Sequence, residues 1–161
     1  MRLTTIAVGG AVLTTVFVVG PIAMIGVNQM LGWPRWHLPA GHTVGGILIL
    51  AALGLSAHCS RVFDRLGKGT PVPIEPPKHL VVAGLYRRTR NPMYIAHLAM
   101  LLGLFLVRGE LVLYVLFYAG LLHVWVVRHE EPNLVARFGD EYRRYAREVP
   151  RWGLRLRSAC P

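Results

Sequence analysis

Acidic side chains are scarce in this chain: 8 Asp and Glu stand against 18 Lys and Arg, and charged residues fill only 16% of its 161 positions. A soluble domain of this length needs a more polar surface, so a hydrophobic content of 53% and a mean hydropathy of +0.43 exclude an ordinary water-facing globule. Cysteine is nearly absent. Cys59 and Cys160 have neither pairing nor metal-ligand spacing, which leaves no disulfide framework and no metal site, and the Cys160-Pro161 ending is not a prenylation box. No Gly-x-Gly-x-x-Gly run is present, so there is no Rossmann-type dinucleotide loop. A formal net charge of +10 would suggest nucleic acid in a soluble protein. Here the charges are missing from long stretches and packed into others, the pattern of the positive-inside rule, which makes the lipid bilayer the partner and excludes nucleic acid.

What the chain does contain is apolar sequence in blocks. Leu3 to Val27 is long enough to cross roughly 30 Å of hydrocarbon at about 1.5 Å per residue. It reads as a spanning helix rather than a signal peptide, because the run exceeds a signal core and no small-x-small cleavage site follows. Asn28 to Gly41, with Trp33, Pro34, Trp36 and Pro39, predicts a loop whose tryptophans lie at a lipid–water interface. Thr43 to Ala57 predicts a second, shorter span, ended by His58, Cys59, Ser60 and Arg61. The turn residues Gly67-Lys68-Gly69-Thr70-Pro71, Pro73 and Pro76-Pro77 predict a non-helical connector over 58–92. Met93 to Val107 and Leu111 to Val127 predict a helical hairpin over 93–127 that turns at Arg108-Gly109-Glu110, each arm short enough to require tilt or a thin bilayer. The expected fold class is all-α. It is a single polytopic membrane domain over 1–161 with about four transmembrane helices, two of them within 3–57, then the hairpin, then a C-terminal amphipathic helix and tail over 132–161.

Orientation follows from counting. Seven Lys and Arg fall between Arg61 and Arg90 and eight from Arg128 onward, so fifteen of the 18 sit in the second loop and the tail. Both segments are expected in the cytoplasm, and with four spans both termini lie there too.

Three clusters carry chemistry. In Gly84-Leu85-Tyr86-Arg87-Arg88-Thr89-Arg90-Asn91-Pro92-Met93-Tyr94, Asn91 is a good N-cap and Pro92 a preferred first helical residue. The helix N-terminus beside Arg90 is then suited to a carboxylate or phosphate of a ligand, or to lipid phosphates. Arg128-His129-Glu130-Glu131-Pro132 places two carboxylates where the last apolar helix ends, and carboxylates so near hydrocarbon need partners. Arg90 and Arg128 each lie nineteen residues from Gly109, so an antiparallel hairpin sets Glu130 and Glu131 at the depth of Arg87 and Arg88. His97 and His123, twelve and fourteen residues from Gly109, fall just inside, as packing residues or as candidate bases. In Asn133 to Val149, Leu134, Phe138, Tyr142 and Tyr145 recur at helical spacing with Arg137, Arg144 and Arg147 off that face, as in a surface anchor or a lid.

Arg90-Asn91-Pro92-Met93-Tyr94 before a hairpin, Glu130-Glu131 after it, and Phe138-Gly139-x-x-Tyr142-x-x-Tyr145 followed by Val149-Pro150-Arg151 together resemble the isoprenylcysteine carboxyl methyltransferase and phospholipid methyltransferase superfamily, over roughly Val82 to Trp152. The resemblance implies an integral membrane enzyme that transfers the S-adenosylmethionine methyl group to a lipophilic acceptor, an isoprenylcysteine-like carboxylate, a lipid amine or a thiol, and releases S-adenosylhomocysteine. It implies a cofactor site of Tyr86, Arg90, Asn91, Pro92, Tyr94, Glu130 and Glu131 at the cytoplasmic end of the hairpin. Asn91 departs from the family's usual His, and Ala96 stands where a glycine is common. His97 and His123 are the candidates for a base if the acceptor is an amine. The alternatives are a membrane NADPH-dependent reductase with a similar C-terminal core and a non-catalytic membrane scaffold. No feature of the sequence sets an oligomeric state.

Overall fold

Apolar segments that cannot leave backbone N–H and C=O groups bare in lipid fold as helices, and every regular element among the described residues is helical. The computed structural model describes residues 3–67, 77–153 and 155. Helix α1 (Leu3–Thr14) runs through a π-helical turn (Thr15–Val19) into α2 (Gly20–Met30). Helix α3 (Gly41–Val62) ends in a second such turn (Phe63–Gly67). Helices α4 (Pro92–Arg108) and α5 (Val112–Trp125) are the arms of the hairpin, and a third π-helical turn (Val126–Glu130) leads from α5 into α6 (Glu131–Glu148).

Three of these stretches are long and apolar enough to cross a membrane: Ala7–Met30, Gly41–Gly67 and the continuous helix that begins at Val112. Helix α4 is apolar but has 17 residues, about 25 Å of rise against roughly 30 Å of hydrocarbon. The first span continues past Val27 to Met30, and the second runs past Ala57 to Val62 and its π turn. His58, Cys59, Ser60 and Arg61 are polar, yet nothing in their backbones stops a helix, and the first glycine after them is Gly67. The connector's Lys68, Gly69, Thr70, Pro71, Pro73 and Pro76, like Cys160 in the tail, lie outside the described residues.

The chain groups into two compact units, Met1–Gly54 with Ala96–Gly120 and Leu55–Ile95 with Leu121–Pro161. In the first, Pro21 sits inside a continuous helix without an N–H to give. In the π-helical pattern, where the Gly20 N–H reaches Thr15 O, the carbonyl left without a donor is that of Val16. The Tyr114 hydroxyl supplies one at 2.8 Å, so a neighbouring helix satisfies what proline takes away. Helices α3 and α4 approach closely at Gly45 and Gly103: a Cβ on Gly45 would lie 2.6 Å from the Gly103 carbonyl oxygen. The hairpin turns at Gly109, whose φ of 69° and contact with the Trp36 carbonyl both exclude a side chain.

In the second unit, buried Cys59, Val81 and Tyr86 pack with Leu55, Val62, Phe63, Leu85 and Met93. A 3-10 turn (Gly84–Arg87) brings Tyr86 into this cluster, edge-on to Phe63. In α6, Tyr142 is buried and Leu134, Phe138 and Tyr145 half-buried, while Arg137, Arg144 and Arg147 are exposed. The helix spans Glu131–Glu148 rather than Asn133 to Val149, and it is not regular: Gly139 takes φ 52°, ψ −125° and kinks it.

Candidate functional site

The site is built where the start of α4 meets the segment after α6. Pro92 opens α4 without an N–H to satisfy, and the Asn91 carbonyl accepts the first helical bond from the Ile95 N–H at 3.1 Å. The Asn91 side chain, expected as the helix cap, instead donates from Nδ2 to the Arg151 carbonyl at 3.1 Å. The Thr89 hydroxyl donates to the same oxygen at 3.3 Å. Two backbone bonds join the segments on either side, Arg90 N–H to Pro150 O at 2.9 Å and Arg155 N–H to Arg88 O at 2.8 Å. This strap is what sets Arg151 beside Arg90.

Both guanidinium groups then converge on Glu131. Arg151 binds it in bidentate fashion, Nε to Oε1 at 2.7 Å and Nη2 to Oε2 at 2.8 Å, and Arg90 Nη1 reaches Oε1 at 2.8 Å. The hydrogen bond to Glu131 raises the already high pKa of Arg151, so that guanidinium stays charged throughout. Two arginines on one carboxylate give that group of three a surplus positive charge. Arg90 Nη1 also donates to the Tyr142 hydroxyl at 3.3 Å. Its Nε is buried with no hydrogen-bond partner among the described residues.

Glu130 is held separately, by a 2.7 Å bond from the Tyr94 hydroxyl to Oε2. Tyr145 donates to the Tyr86 carbonyl at 2.7 Å, tying α6 to the 3-10 turn. Burial pushes the Tyr86 phenol well above the usual tyrosine range. The two motifs do meet: Glu130 engages Tyr94 and Glu131 engages Arg90. The π-helical turn Val126–Glu130 leads into Glu131, and the chain just before Pro92 is not helical, so the contacts are set locally rather than by residue count from Gly109.

An open cleft of about 670 Å³ adjoins this network, lined by Arg90, Glu131 and Tyr142, by the apolar Val127, Pro132, Val135, Ala136 and Ala146, and by Arg143 and Arg147. His123 accepts a 3.0 Å hydrogen bond at Nδ1 from the Trp152 indole N–H. Because an indole N–H only donates, the neutral ring carries its proton on Nε2. His97 belongs to the other unit, where its ring meets Phe17 edge-on at 5.3 Å. Reading the sequence for site residues passed over Arg151, Thr89 and Tyr142 as members of the network. The signal for Arg151 was present in Val149-Pro150-Arg151, and that for Tyr142 in the aromatic spacing of α6. Thr89 gave none.

A family model described as phospholipid methyltransferase matches residues 40–141, well over half of the chain and including α3, the hairpin and the first part of α6. No curated protein and no solved structure matches it.

Proposed function

Because the chain belongs to the phospholipid methyltransferase family, membrane methyltransferases related to the isoprenylcysteine carboxyl methyltransferases, we propose that it transfers the S-adenosylmethionine methyl group to a lipophilic acceptor. Helices α1–α2, α3, α4 and α5 make four crossings, α4 tilted or in locally thinned lipid, with both termini and the active site cytoplasmic. The acceptor class is an isoprenylcysteine-like carboxylate, a lipid amine or a thiol.

The observation that carries this reading is the arginine pair on Glu131 beside the cleft. The cleft falls within the roughly 300–1,000 Å³ of small-molecule sites. The buried, unpartnered Nε of Arg90 and the excess positive charge suit a ligand carboxylate. Glu130 suits its ammonium or ribose, and Tyr142 with Val127 and Val135 offers an aromatic and apolar wall. In this assignment Arg90 holds the cofactor carboxylate and Glu131 with Arg151 fixes Arg90. Tyr94 orients Glu130, and Tyr86, Asn91 and Pro92 shape the start of α4. When bound, the cofactor supplies an electrophilic sulfonium methyl for in-line displacement. The protein's share is to position the acceptor and exclude water. A carboxylate acceptor needs no base. An amine acceptor would have to lose a proton, and His97 and His123 are the candidates for that role.

The test is calorimetric titration of the purified protein with S-adenosylhomocysteine and with NADPH, together with Arg90→Ala and Glu130→Ala variants. S-adenosylhomocysteine should bind the wild type and both variants should weaken it. Tight NADPH binding without a response to S-adenosylhomocysteine would reject the proposal in favour of a reductase, and binding of neither would favour a scaffold.

A further inference from the structure

The first unit holds three Lys, Arg, Asp or Glu side chains among its described residues, Arg35, Arg108 and Glu110, and all three are in one cluster. Glu110 lies in the hairpin turn with its side chain 1% exposed. Arg35 Nε reaches its Oε1 at 2.6 Å and Arg108 Nε its Oε2 at 3.4 Å. Both contacts use Nε, the guanidinium nitrogen nearest the chain, and each arginine side chain is still 49% exposed. One buried carboxylate cancels one of the two charges, so the cluster presents a surplus cation at the surface. The loop before it is tied to the turn through the Trp36 N–H to Gly109 O at 3.2 Å, and to the end of α2 by buried Asn28, whose main-chain carbonyl accepts from the Trp33 N–H at 3.1 Å and whose Nδ2 donates to Trp33 O at 3.3 Å. Trp33 and Trp36 remain 42% and 62% exposed. A cavity of about 190 Å³ opens between them, with Glu110 on its wall.

We propose that this cluster is a binding site for the phosphate of a bilayer lipid, held by Arg35 and Arg108 with Trp33 and Trp36 against the glycerol and upper acyl region. Three features point to a lipid rather than to a soluble ion or a cation. The surplus charge is positive, which repels a cation from the otherwise inviting pair of indoles and carboxylate. Exposed tryptophans at the end of apolar helices lie where headgroups lie. Flexible arginines half free of their carboxylate can donate further hydrogen bonds to phosphate oxygens. Glu110 then acts as a positioning residue, because it holds both guanidinium groups at the rim of the turn. This inference is independent of the cofactor site.

The test uses the full chain in a neutral detergent, titrated with dihexanoyl phosphatidylglycerol, dihexanoyl phosphatidylcholine or inorganic phosphate while tryptophan fluorescence and thermal unfolding are followed. Phosphatidylglycerol should bind and stabilise the protein. Arg35→Gln and Arg108→Gln should each weaken that binding about fivefold, the effect of one cation near a lipid surface, with S-adenosylhomocysteine affinity unchanged. Phosphatidylcholine shares the phosphate and should bind more weakly. Inorganic phosphate binding as tightly as the lipid, or equal lipid binding by wild type and the Arg35→Gln/Arg108→Gln double variant, would overturn the proposal. Thermal unfolding of each variant without lipid serves as the folding control and should match the wild type.

Discussion

Two glutamates in this protein are each shared by two arginines, and the two networks are built differently. Glu110 is met by Arg108 from two positions away and by Arg35 from the preceding loop, each through a single Nε contact, with both arginines half exposed. Glu131 is met by Arg90 and Arg151 from distant parts of the chain. One contact is bidentate, the Arg90 side chain is only 11% exposed, and a backbone strap holds the arginines in place. The charge balance is the same and the accessibility opposite. Exposed arginines on a buried carboxylate suit a ligand that arrives along a surface, and an enclosed arginine beside a cleft suits one that is surrounded.

The largest expected effect separates the two networks. Glu131→Ala leaves the enclosed Arg90 guanidinium without its carboxylate and should destabilise the protein by on the order of 3 kcal/mol, with S-adenosylhomocysteine binding lost. Glu110→Ala should lower thermal stability comparably and leave S-adenosylhomocysteine affinity intact. If Glu110→Ala abolishes that affinity as well, the division between them fails. Next, Arg151→Lys keeps the charge but loses the fork; one charge-assisted hydrogen bond is worth about 1.5–3 kcal/mol, so S-adenosylhomocysteine should bind at least about tenfold more weakly by calorimetry.

A pH effect comes third. Burial raises the Tyr86 phenol in the folded state, so above the ordinary tyrosine pKa, about 10, the unfolded chain releases a proton that the folded chain keeps. Stability is therefore untouched below that pH and falls as the pH rises beyond it, by up to about 1.4 kcal/mol per pH unit. Thermal unfolding of wild type and Tyr86→Phe between pH 9 and 11 should show the slope in the first and a flatter curve in the second. The smallest effect belongs to Trp152→Phe, which removes a single exposed hydrogen bond worth about 1 kcal/mol or less. Its sharper readout is the nitrogen NMR spectrum of His123, whose Nε2-protonated form should lose its dominance; an unchanged spectrum would show that Trp152 does not set the tautomer.

Much of the framework around the candidate site is legible in the sequence. Asn91-Pro92 marks the start of α4 because proline's missing N–H suits a first helical position, and α4 starts there. Gly109 marks the hairpin turn, and its positive φ is what a tight reversal against the Trp36 carbonyl requires. The symmetry about Gly109 brought the arginine and glutamate motifs to one end of the hairpin, and a residue count of that kind carries no information on which arginine meets which glutamate. The end of α3 lies beyond the expected one for a different reason: the change of polarity at His58 is not a change of backbone.

By itself the sequence determined the helices and the family. Apolar block length, proline and glycine placement and the order of short motifs are local properties, and lipid leaves the backbone no other regular choice. Tertiary structure decided who partners whom. That Tyr114 supplies the donor Pro21 removes, that Arg151 rather than Arg87 or Arg88 joins Arg90 on Glu131, and that Arg35 and Arg108 share Glu110 all depend on contacts between segments far apart in the chain. Such contacts are set by packing and by the requirement that every buried carboxylate and carbonyl find a donor, and no spacing rule along the chain encodes which donor it will be.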